Sequence, residues 1–167
     1  MAGSIDHEEM RNPMNALAYC GLYCQACSFK VAYEEQDRNH LRAMPAKYDR
    51  CKEDPLEPCN GCRNDPDPSC EIRNCARERA LLHCGDCPAF PCERITAFAS
   101  DGIPHHAEAM ANLKRIKQIG ELGWFVEQEA RYRCSCGSRY SWYVRICLRC
   151  SATESDARTQ GFANGLL

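Results

Sequence analysis

The chain has 167 residues, of which 44% are hydrophobic and 26% charged, and its net charge is −2. The apolar fraction is raised by 15 cysteines and mean hydropathy is only −0.54, so a core of aliphatic and aromatic side chains alone is thin and cross-links or metals must supply part of the stability. No apolar run approaches the roughly 20 residues that span a bilayer, which excludes a membrane-spanning helix.

Residues 1–15 have no periodicity and read as a flexible leader. Within them Met1–Met10 carries Asp6, Glu8 and Glu9 and lacks the apolar stretch of a secretory signal. The expected compartment is therefore the cytoplasm, where disulfides are rare and closely spaced thiols are metal ligands more often than cross-links. Next comes the triplet Cys20-x3-Cys24-x2-Cys27. Ser28 to about His40 has helical character, and Leu41, Met44, Ala46 and Tyr48 predict a second short helix around Pro45. Pro55, Pro58, Pro66 and Pro68 frame a loop that carries Cys59-Asn60-Gly61-Cys62. Cys70 to Leu82 is helical in spacing, with Ile72, Cys75, Ala76, Arg79 and Leu82 near one face.

This helix leads into His83-Cys84-Gly85-Asp86-Cys87-Pro88-Ala89-Phe90-Pro91-Cys92. A Cys-x-x-Cys pair lets two sulfurs reach one ion from a tight turn, and the prolines stop a helix from running through it. Glu93–Ala99 predicts one or two helical turns. Met110, Leu113, Ile116 and Ile119 give an amphipathic helix over 105–119, with Gly120 as its stop. Leu122–Arg131 is the last predicted helix. Cys134-Ser135-Cys136-Gly137 and Cys147-Leu148-Arg149-Cys150 then flank a β-forming stretch, Arg139 to Arg145, on the plan of a zinc ribbon. Residues 151–167 read as a disordered tail.

The run Cys-Gly-Leu-Tyr-Cys-x-x-Cys at 20–27, the pair at 59 and 62, the Cys70/Cys75 helix, Cys-Gly-x-Cys-Pro-x-Phe-Pro-Cys at 84–92 and Asn112-Leu113-Lys114-Arg115-Ile116 together resemble a cysteine-rich prokaryotic family. It is the domain of unknown function thirty-seven ninety-five type, described as zinc-binding. The resemblance covers about residues 19–150 and implies zinc binding without implying an activity. The first turn of the terminal module, Cys134-x-Cys136, is one residue shorter than the usual Cys-x-x-Cys.

Ten thiols precede that module as candidate ligands: Cys20, Cys24, Cys27, Cys59, Cys62, Cys70, Cys75, Cys84, Cys87 and Cys92. Two four-thiolate sites use eight of them; a six-thiolate two-metal cluster with one four-thiolate site uses all ten. Cys70 and Cys75 have an alternative as buried small apolar residues. With Cys134, Cys136, Cys147 and Cys150, the expected content is two or three zinc ions. The alternative cofactor is a [4Fe–4S] cluster on Cys20, Cys24 and Cys27, whose spacing suits three iron ligands. The chain is too short, and too poor in β–α alternation, for a radical-enzyme barrel on that motif.

His83, His105 and His106 read as polar surface residues, and Cys51, between Arg50 and Lys52, as an incidental thiol. No serine motif or phosphate loop is present, so the expectation leans away from an enzyme and no catalytic residue is assigned. Residues 131–167 hold six arginines against Glu154 and Asp156, a net of +4, which leaves −6 on the first 130 residues. Arg139, Trp142 and Arg145 are the candidate nucleic-acid contacts.

The expected architecture is mainly α: a leader over 1–15, a metal-nucleated helical domain over 16–130, a β zinc ribbon over 131–150 and a tail over 151–167. The expected role is a non-catalytic interaction or adaptor module with a protein partner. An iron–sulfur redox role and RNA or DNA binding through the ribbon are the alternatives, and no membrane is involved.

Overall fold

The computed structural model describes residues 13–154; most of the expected leader and the tail from 155 onward lie outside them. The described part is mainly helical. Its helices are α1 (Pro13–Ala16), α2 (Ser28–Glu34), α3 (Asn39–Arg42), α4 (Glu71–Glu78), α5 (Glu93–Ala99) and α6 (Glu108–Tyr132). Among the described residues none is long and apolar enough to cross a membrane.

Two compact units share the chain: Met1–Cys24 with Asn60–Phe125, and Gln25–Cys59 with Val126–Leu167. Each is built from two separate stretches.

In the first unit, residues 17–23 fold back tightly on themselves. The Ala18 amide donates to the Leu22 carbonyl at 3.0 Å and the Gly21 amide to the Ala18 carbonyl at 2.9 Å. Gly21 sits at φ +90°, and a Cβ there would fall 2.7 Å from Leu113 Cγ and 2.9 Å from the Ala109 carbonyl oxygen. The helix carrying Leu113 thus packs directly on the backbone of the turn, and Asn112 Nδ2 donates to the Gly21 carbonyl at 2.9 Å. Gly21→Ala should cost at least about 2 kcal/mol, from the left-handed backbone plus overpacking. Gly102→Ala is the control: Gly102 has φ +84° but nothing within 4 Å of its Cβ position, so only the backbone cost applies. Urea midpoints that shift equally in the two variants would show that the close approach contributes nothing.

The predicted break at Gly120 is present: at φ 74°, ψ 167° it is non-helical inside α6. Leu113, Ile116 and Trp124 are buried, with Leu17, Tyr23, Ile72, Ala76 and Ile95, and Trp124 meets Tyr23 edge to face at 5.8 Å. In the second unit the core gathers Ala32, Leu41 and Met44, with Phe29, Tyr48, Leu56 and Tyr143 against them.

The expected β ribbon is corrected. No strand occurs among the described residues; residues 133–153 make only isolated bridges, Arg133 with Arg139, Ser141 with Val144 and Ile146 with Thr153. Successive amides of the would-be ladder take different partners. Tyr140 donates to the Tyr132 carbonyl at 2.8 Å, Ser141 to Val144 at 3.2 Å and Trp142 to Ala26 at 3.0 Å. No two adjacent residues pair with the same neighbour, so β propensity cannot extend into a strand.

Candidate metal centres

The end of the second unit holds the tightest thiol group. The Cys134 amide donates to the Ser138 carbonyl at 2.8 Å and the Gly137 amide to Cys134 at 2.9 Å. Gly137, at φ +92°, closes this turn. The opposing turn is closed by the Ser151 amide on the Cys147 carbonyl at 2.9 Å and the Cys147 amide on Ala152 at 2.8 Å. Cys134 Sγ lies 3.5 Å from Cys150 Sγ, and Cys136 Sγ 3.5 Å from Cys147 Sγ. All four sulfurs lie within 4.8 Å of one another.

A disulfide needs about 2.05 Å. Four sulfurs about 2.3 Å from a central ion stand about 3.8 Å apart, so a group within these limits could hold a metal ion, the short Cys-x-Cys turn included. Cys134 and Cys147 are buried, Cys136 and Cys150 exposed. Burial opposes ionisation of Cys134, but hydrogen bonds from Tyr140, the Cys136 amide and Cys150 outweigh it and bring the thiol down to about 6. A hydrogen bond from the Ala152 amide favours the Cys150 thiolate, yet its three sulfur neighbours push it up to about 12. A hydrogen bond from the Ser138 amide brings the Cys136 thiol down as well, and a divalent ion can take the place of protons in such a group. The fully buried Tyr140 braces the turns, its hydroxyl lying 3.0 Å from the Thr153 carbonyl oxygen and 3.2 Å from that of Ala152.

The first unit holds Cys20, Cys24, Cys62, Cys70, Cys75, Cys84, Cys87 and Cys92. The Cys84 amide donates to the Tyr19 carbonyl at 2.8 Å, which fixes the 84–87 turn to the Cys20 turn. Arg63 ties in the next segment: its Nε donates to the Met14 carbonyl at 2.7 Å and to that of Leu17 at 3.0 Å, and its guanidinium stacks on Tyr19 at 4.5 Å. Burial, with repulsion from Cys62, Cys24 and Cys84, pushes Cys20 well up. Burial, with repulsion from Cys92, Cys75, Cys87 and Cys62, pushes Cys84 up to about 12. The thiols thus form one neighbourhood in which several anions cannot coexist without a cation.

Four of them, Cys70, Cys75, Cys87 and Cys92, line an open cleft of about 680 Å³ between α4 and α5, together with Arg79, Arg94 and Phe98. Cys70 and Cys92 are the N-cap residues of α4 and α5. The buried Arg73 guanidinium holds Asp65 at 2.9 Å and favours the anion of Cys62 beside it, although burial raises the Cys62 thiol overall. Among the described residues these eight thiols form no group with all sulfurs within 4.8 Å.

Cys27 and Cys59 belong to the second unit. Cys27 is the N-cap of α2; burial and its neighbour Cys59 push it up to about 11, against hydrogen bonds from the Lys30 and Phe29 amides. The expected triplet 20/24/27 and the expected pair 59/62 are therefore each divided between the units. Cys51 is half-buried at the end of the 3₁₀ segment Ala46–Cys51.

Two surface expectations change. His83 and His105 are buried rather than superficial, while His106 Nδ1 lies 2.9 Å from Asp101. The terminal arginines are engaged with carboxylates: Arg139 with Glu129 at 3.2 Å, and Arg131 and Arg145 with Glu154 at 2.9 and 2.8 Å. Arg131 and Arg145 also lie over the buried Tyr132 ring, at 4.9 and 5.0 Å. Trp142 is half-buried. Sequence reasoning passed over Arg63 and Arg73. For Arg73 the signal was its place between Cys70 and Cys75 beside the apolar Ile72.

Residues 16–97 match the profile of the family described as "Protein of unknown function (DUF3795)". No curated protein and no solved structure matches the chain.

Proposed function

Residues 16–97 belong to the DUF3795 family, and from that starting point we propose that the chain is a non-catalytic zinc-binding protein that works as an interaction or adaptor module. The observation that carries the reading is the four-sulfur group Cys134, Cys136, Cys147 and Cys150, with its two 3.5 Å pairs. Four thiolates with no open position make a structural site. One or two further ions would be held among the eight thiols of the first unit, giving two or three in all. Free thiols at all 15 cysteines fit a reducing cytoplasm. Ile146 and Leu148, 56% and 48% exposed on either side of Cys147, offer a protein partner an apolar contact that the metal-held turn would keep rigid.

The thiol-lined cleft favours a second reading for the first unit. Sulfurs spread around an open cleft, rather than gathered on one point, suit a polynuclear iron–sulfur centre, placed on Cys70, Cys75, Cys87 and Cys92 rather than on the 20/24/27 triplet. Anaerobic purification followed by metal analysis decides between them. A colourless protein with two to three zinc ions per chain supports the first reading; a brown one with stoichiometric iron and sulfide replaces it. Binding of RNA through Arg139, Trp142 and Arg145 is the third proposal, and the carboxylates on Arg139 and Arg145 weigh against it. If it holds, Arg139→Ala and Arg145→Ala each flatten the salt dependence of RNA affinity by about one unit.

A further inference from the structure

Residues Cys84–Asp86 form a 3₁₀ turn with His83 at its N-cap. The Asp86 amide donates to the His83 carbonyl at 3.1 Å and the Cys87 amide to that of Cys84 at 3.2 Å, so the turn brings two pairs of residues together. Cys84 and Cys87 make one, close enough for the charge of Cys87 to help raise the Cys84 thiol. His83 and Asp86 make the other, with Nε2 3.6 Å from Oδ1. Glu121, just past the break in α6, brings Oε1 to 3.3 Å from the same nitrogen, and the three ligand atoms lie within 4.8 Å of one another.

Those separations are long for charge-assisted hydrogen bonds, which close to about 2.7–2.9 Å. They match the edges of a tetrahedral nitrogen–oxygen site, which are about 3.3 Å for bonds of 2.0–2.1 Å. The imidazole is only 1% exposed. It lies over Gly85, where a Cβ would come within 2.8 Å of Nδ1, and Nδ1 has no hydrogen-bond partner. Every polar contact of this buried ring is therefore on the side facing the two carboxylates, which are themselves partly open to solvent.

We propose that His83, Asp86 and Glu121 form a metal site of a second kind, a nitrogen–oxygen site for a divalent first-row cation, on the same turn that presents Cys84 and Cys87. Imidazole with two carboxylates suits Mn²⁺ or Fe²⁺, whereas thiolates select zinc and other softer ions, so one turn would sort two metals by ligand type. Three protein ligands leave a position for water or an exchangeable ligand. The inference does not depend on which metal the thiols hold.

The test uses the full chain as purified, with its thiol sites filled. It is titrated with Mn²⁺ alone, the free ion being followed by electron paramagnetic resonance. One Mn²⁺ should bind per chain, and Glu121→Gln and Asp86→Asn, both at partly exposed positions, should weaken it at least tenfold, on the order seen for shell residues of metal sites. Zinc content, sulfide content and circular dichroism should stay those of the parent. The proposal is overturned if the folded parent binds no Mn²⁺, or if both variants bind it as the parent does. In either case the three side chains form a hydrogen-bonded cluster only. Thiol-site metal, measured on the same samples, reports separately on the proposed function.

Discussion

Prolonged exposure to a strong chelator is expected to unfold the chain. Structural zinc contributes roughly 10–16 kcal/mol of apparent binding free energy, while a whole domain is stable by about 5–15 kcal/mol. With so many of its cysteines at elements that have little apolar surface of their own, the chain has no comparable reserve. Circular dichroism should show loss of helix, and Cys147→Ser, which removes a buried member of the four-sulfur group, should reproduce the loss within the second unit. The pH dependence should differ with and without metal. Ligand thiols bind metal as thiolates, so acid competes with the ion and the loaded protein weakens as pH falls. In the fraction of metal-free chain that is still folded the sign reverses. Folding raises Cys84 from the ordinary value of 9.0 to about 12 and Cys27 to about 11. Their contribution is therefore complete below pH 9 and is lost as pH rises toward 11–12. Unchanged dichroism after verified metal removal would refute the dependence of fold on metal.

Trp124→Ala should be the most damaging substitution outside the thiols, at about 3–5 kcal/mol. The side chain is fully buried and meets the edge of Tyr23, the residue between the Gly21 turn and Cys24. Its loss should lower both the unfolding midpoint and the metal retained by the first unit. Trp124→Phe should recover most of both, because the indole nitrogen has no hydrogen-bond partner to lose. A Trp124→Ala protein with parental stability would mean that this packing does not hold the first unit together.

Local patterns were legible in the sequence. The helix at Glu93–Ala99 was expected at those bounds, and the stop at Gly120 followed from one glycine after an amphipathic run. Helical spacing from Cys70 led to α4, although the helix closes at Glu78 and leaves Leu82 half exposed. What the sequence concealed depends on partners far along the chain. His83 is buried because Glu121 lies 38 positions away in sequence but 3.3 Å away in space. A β-rich composition between two cysteine turns predicted strands, but the amides of 140–142 go to three different places. The nearness of Cys59 to Cys27 likewise has no signature in spacing, since each Cys-x-x-Cys turn looks complete by itself.

Cysteines 27, 70 and 92 stand where α2, α4 and α5 begin, at positions usually given to Ser, Thr, Asp or Asn. None makes a side-chain capping hydrogen bond. A neutral thiol is a poor start signal, whereas an anionic sulfur suits the positive end of the helix. Under the proposed function, therefore, the start signals for α4 and α5 depend on whether the cell has metal to spare. A cell short of the ion would hold more of the chain open, and open chain is what proteases remove. The steady-state amount of this protein would then follow metal supply without any dedicated sensor.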